Sequence, residues 1–328
     1  EYFMNKFKKI GLTALAGSLV AVSAQAGELT VTGGANVTYK WGSSSPTTNT
    51  TAKAIGVDKD VAFTGSGELD NGTTFTIATA TTDSQTDLTS GYLSISTPSF
   101  GSFLLGHHSG AAHYKYDEEV PQVYEQISDI SALVTTNKVG DFMDNNHITY
   151  TTPTFDIAGA SITFDVGYAS DANDTETGDG GIAKTGNVTY GTGTEAGVTI
   201  AYDALKIGVY GAQRDNLDNP AAGSDGVRDE FNGVWYAKYS AGPVSIGYSE
   251  SYVDSGVSST ATPATTAAKS LRSSGGIFEG QQIGIAFNVN DSLSVSYTES
   301  TETYNAQSEE SSKDVDQDIE AIQVAYSM

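Results

Sequence analysis

Apolar and polar residues alternate along most of this chain. The clearest run covers residues 29–41, where apolar side chains fall on odd positions and polar ones mainly on even positions. A period of two gives a strand one apolar and one polar face. At about 3.4 Å per residue, this strand is long enough to cross a bilayer when tilted. Tyr39 and Trp41 lie at one end of it, where an interfacial aromatic belt is expected.

Fourteen strands can be identified in this way, and seven long polar loops alternate with six short turns between them. One short turn is Asp70-Asn71-Gly72, because Asn-Gly tolerates the positive φ of a tight hairpin. Short turns at one rim and long loops at the other are typical of an up-and-down outer-membrane barrel. The pattern therefore predicts an all-β, antiparallel transmembrane β-barrel. The spacing and turn chemistry also fit a soluble β-sandwich.

One connection differs from the others. Alternation stops after Ser102–His107 for about forty residues and resumes at Ile148-Thr149-Tyr150, and so long a break in a β pattern is often functional. We expect residues 108–146 to fold into the lumen and narrow it. The acids expected at this constriction are Asp117, Glu118, Glu119, Glu125 and Asp129. A ring of carboxylates favours cations, although an ordinary solvated acidic loop has the same composition.

The inward positions of the predicted strands are mostly Thr, Ser, Gly, Asn and Ala. Such a wall suits a water-filled channel, but the solvent face of a soluble sheet has the same composition. The ionisable side chains expected on the lumen wall are Lys40, Glu68, His108, Asp165, Arg214 and Lys238. Even when Lys206 is added, the predicted lumen wall has only four Lys or Arg side chains: Lys40, Lys206, Arg214 and Lys238. We therefore expect a net negative constriction rather than a field between opposed charges.

The charge balance narrows the possible functions. The chain has 328 residues, with 16 basic and 40 acidic side chains, a net charge of −24 and no cysteine. Nucleic-acid binding through phosphate neutralisation needs clustered Lys and Arg, so it is excluded. A disulfide framework and a thiolate metal site are excluded as well. A chain this acidic should attract cations and repel anions.

The N-terminus has the features of an export signal. Three lysines precede an apolar run over residues 10–22, and Ala24-Gln25-Ala26 follows. These are the charged region, the short apolar region and the A-x-A cleavage site of a signal peptide. The apolar run, at about thirteen residues, is too short for a spanning helix. We therefore expect residues 1–26 to be a leader that includes the signal peptide Met4–Ala26, and residues 27–328 to form the barrel.

Three stretches resemble the general (trimeric) porins of Gram-negative outer membranes. Residues 65–75 resemble that family's second hairpin, Phe100–Gly106 the strand before its constriction loop, and Asp144–Phe155 the return strand after it. Their order and spacing carry the resemblance in the first half, and the second half matches in pattern. The resemblance implies a 16-stranded homotrimer in the cell outer membrane whose third loop folds inward. It also implies outer-membrane lipid, small polar solutes and ions as partners, and no cofactor.

The chain departs from that family in two ways. The last predicted strand ends at Ala325-Tyr326-Ser327-Met328, without the terminal aromatic strand of such barrels. We therefore expect a final hairpin to be missing from this sequence. His107 and His108 stand where the family often has a lumen Arg.

Other chemistries have weaker support in the sequence. His107, His108 and His113 could hold a transition metal with Asp117, although their spacing matches no closed zinc pattern. The loop Asp171–Gly181 has oxygen ligands for Ca²⁺ but lacks the spaced bidentate Glu of an EF-hand. No G-x-S-x-G, phosphate loop or dinucleotide fingerprint occurs, so we expect no enzyme. The predicted function is passive diffusion of small hydrophilic solutes through a cation-preferring porin. The alternative is a secreted or surface-layer β-sandwich, such as an adhesin, without a pore.

Overall fold

The structure is a computed structural model with two compact units, residues 1–98 and 99–328. The residues that it describes are 27–41, 53–81, 88–123, 126–127, 139–144, 146–170, 172, 190–216, 228–256, 276–305 and 314–326. The predicted leader, residues 1–26, lies outside them, as does most of the loop Asp171–Gly181. Within the described ranges, no helix has the length and apolar character needed to cross a membrane.

The first unit contains four antiparallel strands, and each pairs with the next. They are β1 (Glu28–Trp41), β2 (Lys53–Glu68), β3 (Thr74–Thr81) and β4 (Leu88–Thr97). The predicted Asn-Gly turn joins β2 to β3. There Gly72 has a φ of 78°, and its N–H donates to the Leu69 carbonyl at 2.8 Å.

The second unit contains eleven strands. They are β5 (Gly101–His107), β6 (His147–Thr151), β7 (Phe155–Ile157), β8 (Ala160–Ala169), β9 (Tyr190–Tyr202), β10 (Leu205–Asn216), β11 (Glu230–Ala241), β12 (Val244–Asp254), β13 (Ile277–Asn288), β14 (Leu293–Asn305) and β15 (Val315–Tyr326). The strands are antiparallel and pair in the order β5, β6, β8 and then consecutively to β15. The short strand β7 is not in this series and pairs with β8. In the described part of the connection between β5 and β6 there are two short 3₁₀ helices, Ala112–Lys115 and Asp141–Asp144.

The short strand β7 is the one strand of the structure that the sequence pattern does not predict. It folds back on the start of β8, with Phe155 opposite Ile162. The turn between them is very tight, and Ala158 and Gly159 both adopt a positive φ. Three residues are too few for alternation to be recognised in a sequence. From the sequence, the hairpin of β7 and β8 is therefore expected to be only a turn before β8.

The strands of the second unit separate their side chains onto two faces. We call the face that residues 111–127 contact the inner face, and the opposite one the outer face. On β13, Gln282 on the inner face is only 3% exposed, whereas Ile283 and Ile285 on the outer face are 45% and 44% exposed. The predicted alternation is confirmed on this strand. The outer face exposes large apolar side chains on other strands too, among them Phe103, Leu105, Phe164, Val166, Val209, Trp235, Ile246, Ile322 and Val324.

The buried core of this unit lies on the inner face, beneath the first residues of the segment that follows β5. The Tyr116 ring stacks on Tyr210 with 5.3 Å between ring centroids and lies 6.5 Å from Tyr236. Glycines on the strands leave room for these rings. A Cβ at Gly197 would come within 2.5 Å of Tyr116, and one at Gly208 within 2.2 Å of Tyr236. The core therefore fixes where the segment starts its path across the sheet.

Candidate functional site

The segment that follows β5 is anchored first at its root. His108, with a φ of 48°, turns the chain, and its N–H donates to the Asp144 carbonyl at 2.7 Å. This bond joins the outgoing and returning limbs of the segment. The Ala112 N–H then donates to Glu195 Oε1 on β9 at 3.0 Å. Because Glu195 also accepts from Tyr210 Oη at 2.7 Å, the first 3₁₀ helix is tied to two strands.

Beyond its root, the segment crosses the inner face from β8 towards β15. Val120 and Pro121 lie over Gly284 and Gly247, where a Cβ would come within 2.5 Å and 2.4 Å of them respectively. The Val123 N–H donates to Ser296 Oγ on β14 at 3.2 Å. Ile127 packs with Ile319 and Ala321 of β15 in a second buried cluster. The described residues of this stretch, 111–123, 126 and 127, therefore occupy space on the inner face of most of this unit.

Glu119 lies at the centre of the crossing, between two lysines of the wall. Its Oε1 accepts from Lys206 Nζ at 2.8 Å, and its Oε2 pairs with Lys238 Nζ. Burial acts to raise the pKa of Glu119, but the hydrogen bonds with Lys206 and then Lys238 outweigh it, so the pKa lies below its usual value. The expectation that the segment's acids meet few wall bases does not hold at Glu119. Its charge is more than balanced locally.

Asp117 is buried rather than presented to open space. Its side chain is 5% exposed, and burial raises its pKa to about 8, reinforced by the nearby carboxylates of Glu118 and Asp141. At neutral pH most copies of this carboxyl therefore carry a proton. Glu118, the next residue, is exposed. Of the three consecutive acids, Glu118 is thus the one that is both exposed and outside the lysine pair.

Two expected wall residues, Asp165 and Arg214, lie on the inner face but are covered. Asp165 accepts from Tyr116 Oη at 2.6 Å and forms an ion pair with Lys115 at 2.5 Å. Arg214 pairs with Glu230 at 2.6 Å, and its guanidinium lies 3.4 Å from the centroid of the Tyr190 ring. Asp165 therefore fastens the segment to the wall, while Arg214 closes a buried ion pair.

Comparisons with known proteins place this architecture in a family. A family model described as "Gram-negative porin" matches residues 11–328. The chain belongs to this family. No curated protein sequence matches it significantly. Its strands are therefore those of a porin, and its location is the Gram-negative outer membrane.

Solved structures agree with the family in fold. The outer membrane channel DcaP of Acinetobacter baumannii aligns with a TM-score of 0.54 at 12% identity, over 92% of this chain and 85% of that chain. Salmonella typhi OmpF, solved in complex with daunomycin, aligns with a TM-score of 0.55 at 15% identity, over 85% of this chain and 79% of that chain. A porin structure at 14% identity covers 91% of this chain and 99% of its own, with a TM-score of 0.48. The fold is the antiparallel transmembrane β-barrel, which removes the β-sandwich alternative.

The remaining predicted site residues of the porin fall in three places. His108 is half-buried at the root of the segment. Glu68 is exposed at the end of β2, and Lys40 lies on β1, with its side chain outside what the structure describes; both strands belong to the first unit. Glu125 and Asp129 lie outside the described residues.

Sequence reasoning missed the buried acids of the porin's inner face, and Glu195 is the main example. It accepts from the Ala112 N–H, Thr149 Oγ1 and Tyr210 Oη. Apolar alternation in this part of the chain is clear only from Val198, and it predicts that Glu195 lies in a long polar loop; β9 in fact begins at Tyr190 and includes Glu195. Extending the alternation backwards puts Glu195 in register with the inward Gly197, and that signal could have found it.

The histidines near the root do not converge on one point. His107 Nδ1 lies 2.9 Å from Asn146 Oδ1, and its ring centroid is 4.4 Å from that of His108. His113 is instead buried within the first 3₁₀ helix. In the described ranges, no group of three or more His, Cys, Asp or Glu side chains is placed to hold a metal ion.

Proposed function

We propose that this porin forms a water-filled channel for passive diffusion of small hydrophilic solutes, prefers cations and has no catalytic role. The observation that supports the cation preference is that the basic side chains on the inner face are paired with carboxylates. In the described residues of the second unit these are Lys115, Lys206, Arg214 and Lys238, and each is bound to a carboxylate. Three carboxylates, Glu119, Asp165 and Glu230, thereby offset most of the positive charge of these four bases where it could attract anions.

Acids outnumber bases on the same face. Besides Glu119, Asp165 and Glu230, which bind the bases, the face carries Glu302, and Glu118 is an exposed residue of the segment. Asp117 is left out of this balance because its raised pKa keeps it largely neutral. The permeation pathway beside the segment is therefore net negative, which favours cations over anions.

The constriction is proposed to be the segment over residues 108–146. Residues 111–127 of it are held on the inner face at Asp165, Glu119, Ser296 and Ile319, so they occupy space that a solute would otherwise use. The outer face is proposed to contact outer-membrane lipid, because it exposes a band of large apolar side chains on successive strands. A homotrimer, which the resemblance implies, is the proposed assembly.

Reversal potential in a KCl gradient across a planar bilayer tests the preference. We expect the sign of a cation-selective channel. Glu118→Gln should lower the cation-to-anion permeability ratio by about fivefold at low salt, because one charge about 8 Å from an ion in water favours a cation and disfavours an anion by roughly 0.5 kcal/mol each. The effect should shrink as salt is raised from 0.1 M to 1 M, since screening shortens the range of the interaction.

Glu299→Gln is the matched control. Glu299 is an exposed carboxylate on the outer face of β14, so its loss changes the net charge equally without touching the pathway. Its selectivity should equal that of the unaltered chain. An anion-selective reversal potential, or equal effects of the two substitutions, contradicts the proposal, since net charge rather than the charge of the pathway would then set selectivity.

A further inference from the structure

The outer face of the second unit contains a groove that channel function does not use. Its volume is about 480 Å³, and it crosses five strands, β10 to β14. Four strand spacings make it about 19 Å long. Most of its lining side chains are polar or aromatic, in contrast to the apolar band around it: Trp235, Glu250, Tyr252, Glu279, Gln281 and Thr303.

The groove exists because two neighbouring outward positions have no side chain. Gly211 and Gly233 lie directly opposite each other on β10 and β11. Gly233 lies opposite Tyr252 on β12, and Tyr252 lies opposite Glu279 on β13. The depression at the glycines is therefore bordered by the large side chains of the next two strands. Neither glycine has a positive φ, and a Cβ at Gly233 would meet no atom closer than 3.4 Å. The backbone therefore does not require glycine here.

The side chains along the groove are held in place before any ligand arrives. Trp235 Nε1 donates to Glu250 Oε2 at 2.9 Å, and Tyr248 Oη donates to Glu250 Oε1 at 2.7 Å. The Trp235 and Tyr248 rings pack with 5.5 Å between centroids. On the other side, Tyr252 lies 6.3 Å from Phe231. A groove with fixed walls loses little entropy when it binds a ligand.

The position of the groove indicates what can reach it. Towards the short turns, the same strands carry mainly apolar outer rows, such as Ile246 opposite Ile285. Towards the long-loop rim, they carry the groove. In barrels of this class the long loops face the cell exterior. If the apolar band contacts lipid, as proposed above, the groove lies at the level of the outer-leaflet headgroups, continuous with that interface.

We propose that this groove binds the saccharide headgroup of an outer-leaflet glycolipid. Trp235 and Tyr252 offer ring surfaces for the apolar faces of sugar rings, as amphipathic aromatics do where one side is apolar and the other wet. Glu250, Glu279 and Gln281 accept hydrogen bonds from sugar hydroxyls. The same carboxylates repel phosphate, so the groove takes the sugar rings and leaves the phosphates of the headgroup outside it.

Binding of defined glycolipids to the full chain in detergent tests the proposal. The probes are rough lipopolysaccharide, which carries core sugars, and lipid A with its two glucosamines alone, each titrated by native mass spectrometry or by tryptophan fluorescence. We expect rough lipopolysaccharide to bind at least tenfold more tightly than lipid A. Phosphatidylglycerol, which has no sugar, should bind more weakly than either.

Gly233→Thr is the decisive variant, because it fills the floor of the groove with a residue that strands favour. It should reduce binding of rough lipopolysaccharide at least tenfold. Gly65→Thr is the matched control, since Gly65 lies on β2, is not among the residues that line the groove, and a Cβ there would meet nothing within 4 Å. Glu279→Ala, which removes one acceptor without adding bulk, should weaken binding as well and covers the case in which Gly233→Thr misfolds.

Conductance measured on the same preparations separates this proposal from the proposed channel function. Gly233→Thr and Glu279→Ala should conduct like the unaltered chain, because both positions are on the outer face. Equal binding of lipid A and rough lipopolysaccharide overturns the saccharide assignment, as does full binding by both variants. A chain that binds the glycolipid but does not conduct would refute the channel and leave the groove assignment standing.

Discussion

At the scale of single residues, Asp117 is the most unusual group of the inward segment. Its N–H donates to the His113 carbonyl, four residues back, at 3.0 Å, so its backbone is fixed just after the first 3₁₀ helix. Its carboxyl is buried close to Glu118 and Asp141, and burial raises its pKa from 3.8 to about 8. The folded root of the segment therefore holds a proton that the unfolded chain releases near pH 4.

This proton makes the root less stable as pH rises. Between about pH 4 and pH 8 the folded state binds more protons than the unfolded state, so the free energy of local opening falls with increasing pH. The slope for one proton is at most about 1.4 kcal/mol per pH unit. Hydrogen exchange of the amides of residues 111–118, corrected for intrinsic rates, should show this fall and a plateau above pH 8.

Asp117→Asn should remove the pH dependence, because an amide of the same shape needs no proton. Asp291→Asn, in the exposed turn between β13 and β14, serves as the control and should leave the slope unchanged. An Asp117→Asn chain that keeps the full slope would show that a different group holds the proton.

At the scale of elements, the crossing of the inner face depends on a pair of glycines. Gly247 and Gly284 lie opposite each other on β12 and β13. A Cβ on Gly284 would lie 2.5 Å from Val120 Cγ1 and 2.7 Å from the Pro121 carbonyl oxygen. The segment is thus seated directly on strand backbone, closer to the wall than any larger residue would allow.

Gly284→Val should therefore displace residues 120 and 121 from the wall into the pathway. We expect lower single-channel conductance, together with a loss of stability of about 1–3 kcal/mol that is typical of overpacking. Gly233→Val makes the same exchange on the outer face of β11, at ordinary contact distances, and should leave conductance unchanged. Unaltered conductance in Gly284→Val would mean that these residues do not line the narrow part of the channel.

The positions of the strands could be predicted from the sequence, whereas most contacts between their side chains could not. Period-two alternation locates every long strand, because a sheet with two different environments imposes it on each strand independently. It misses β7, with three residues, and the start of β9, where glycines interrupt the pattern. It also places Lys206 and Lys238 inward without revealing that both meet Glu119. These lysines lie 87 and 119 residues beyond Glu119 in the chain, and only the path of the segment brings them together.

At the scale of the whole molecule, two properties act in opposite directions. A net charge of −24 makes copies of the chain repel each other. The exposed apolar band must nevertheless be covered, by lipid, by detergent or by another copy. Association into the proposed trimer therefore depends on apolar contact strong enough to overcome the repulsion, and salt should strengthen it by screening the charges.

Light scattering of the detergent-solubilised protein tests this balance. We expect a protein mass of about three protomers. The trimer should survive greater dilution at 0.5 M salt than at 0.05 M salt, because the Debye length at 0.05 M is about three times that at 0.5 M and the charges repel over a longer range. In SDS, unheated samples should migrate differently from boiled ones, because the hydrogen-bonded strands of a β-barrel resist unfolding until the sample is heated. Neutralising the exposed outer-face pair Glu299 and Glu320, which lie opposite each other on β14 and β15, gives a second comparison. The double variant Glu299→Gln/Glu320→Gln should reduce the salt dependence. A protein mass of one protomer at both salt concentrations would contradict the trimer.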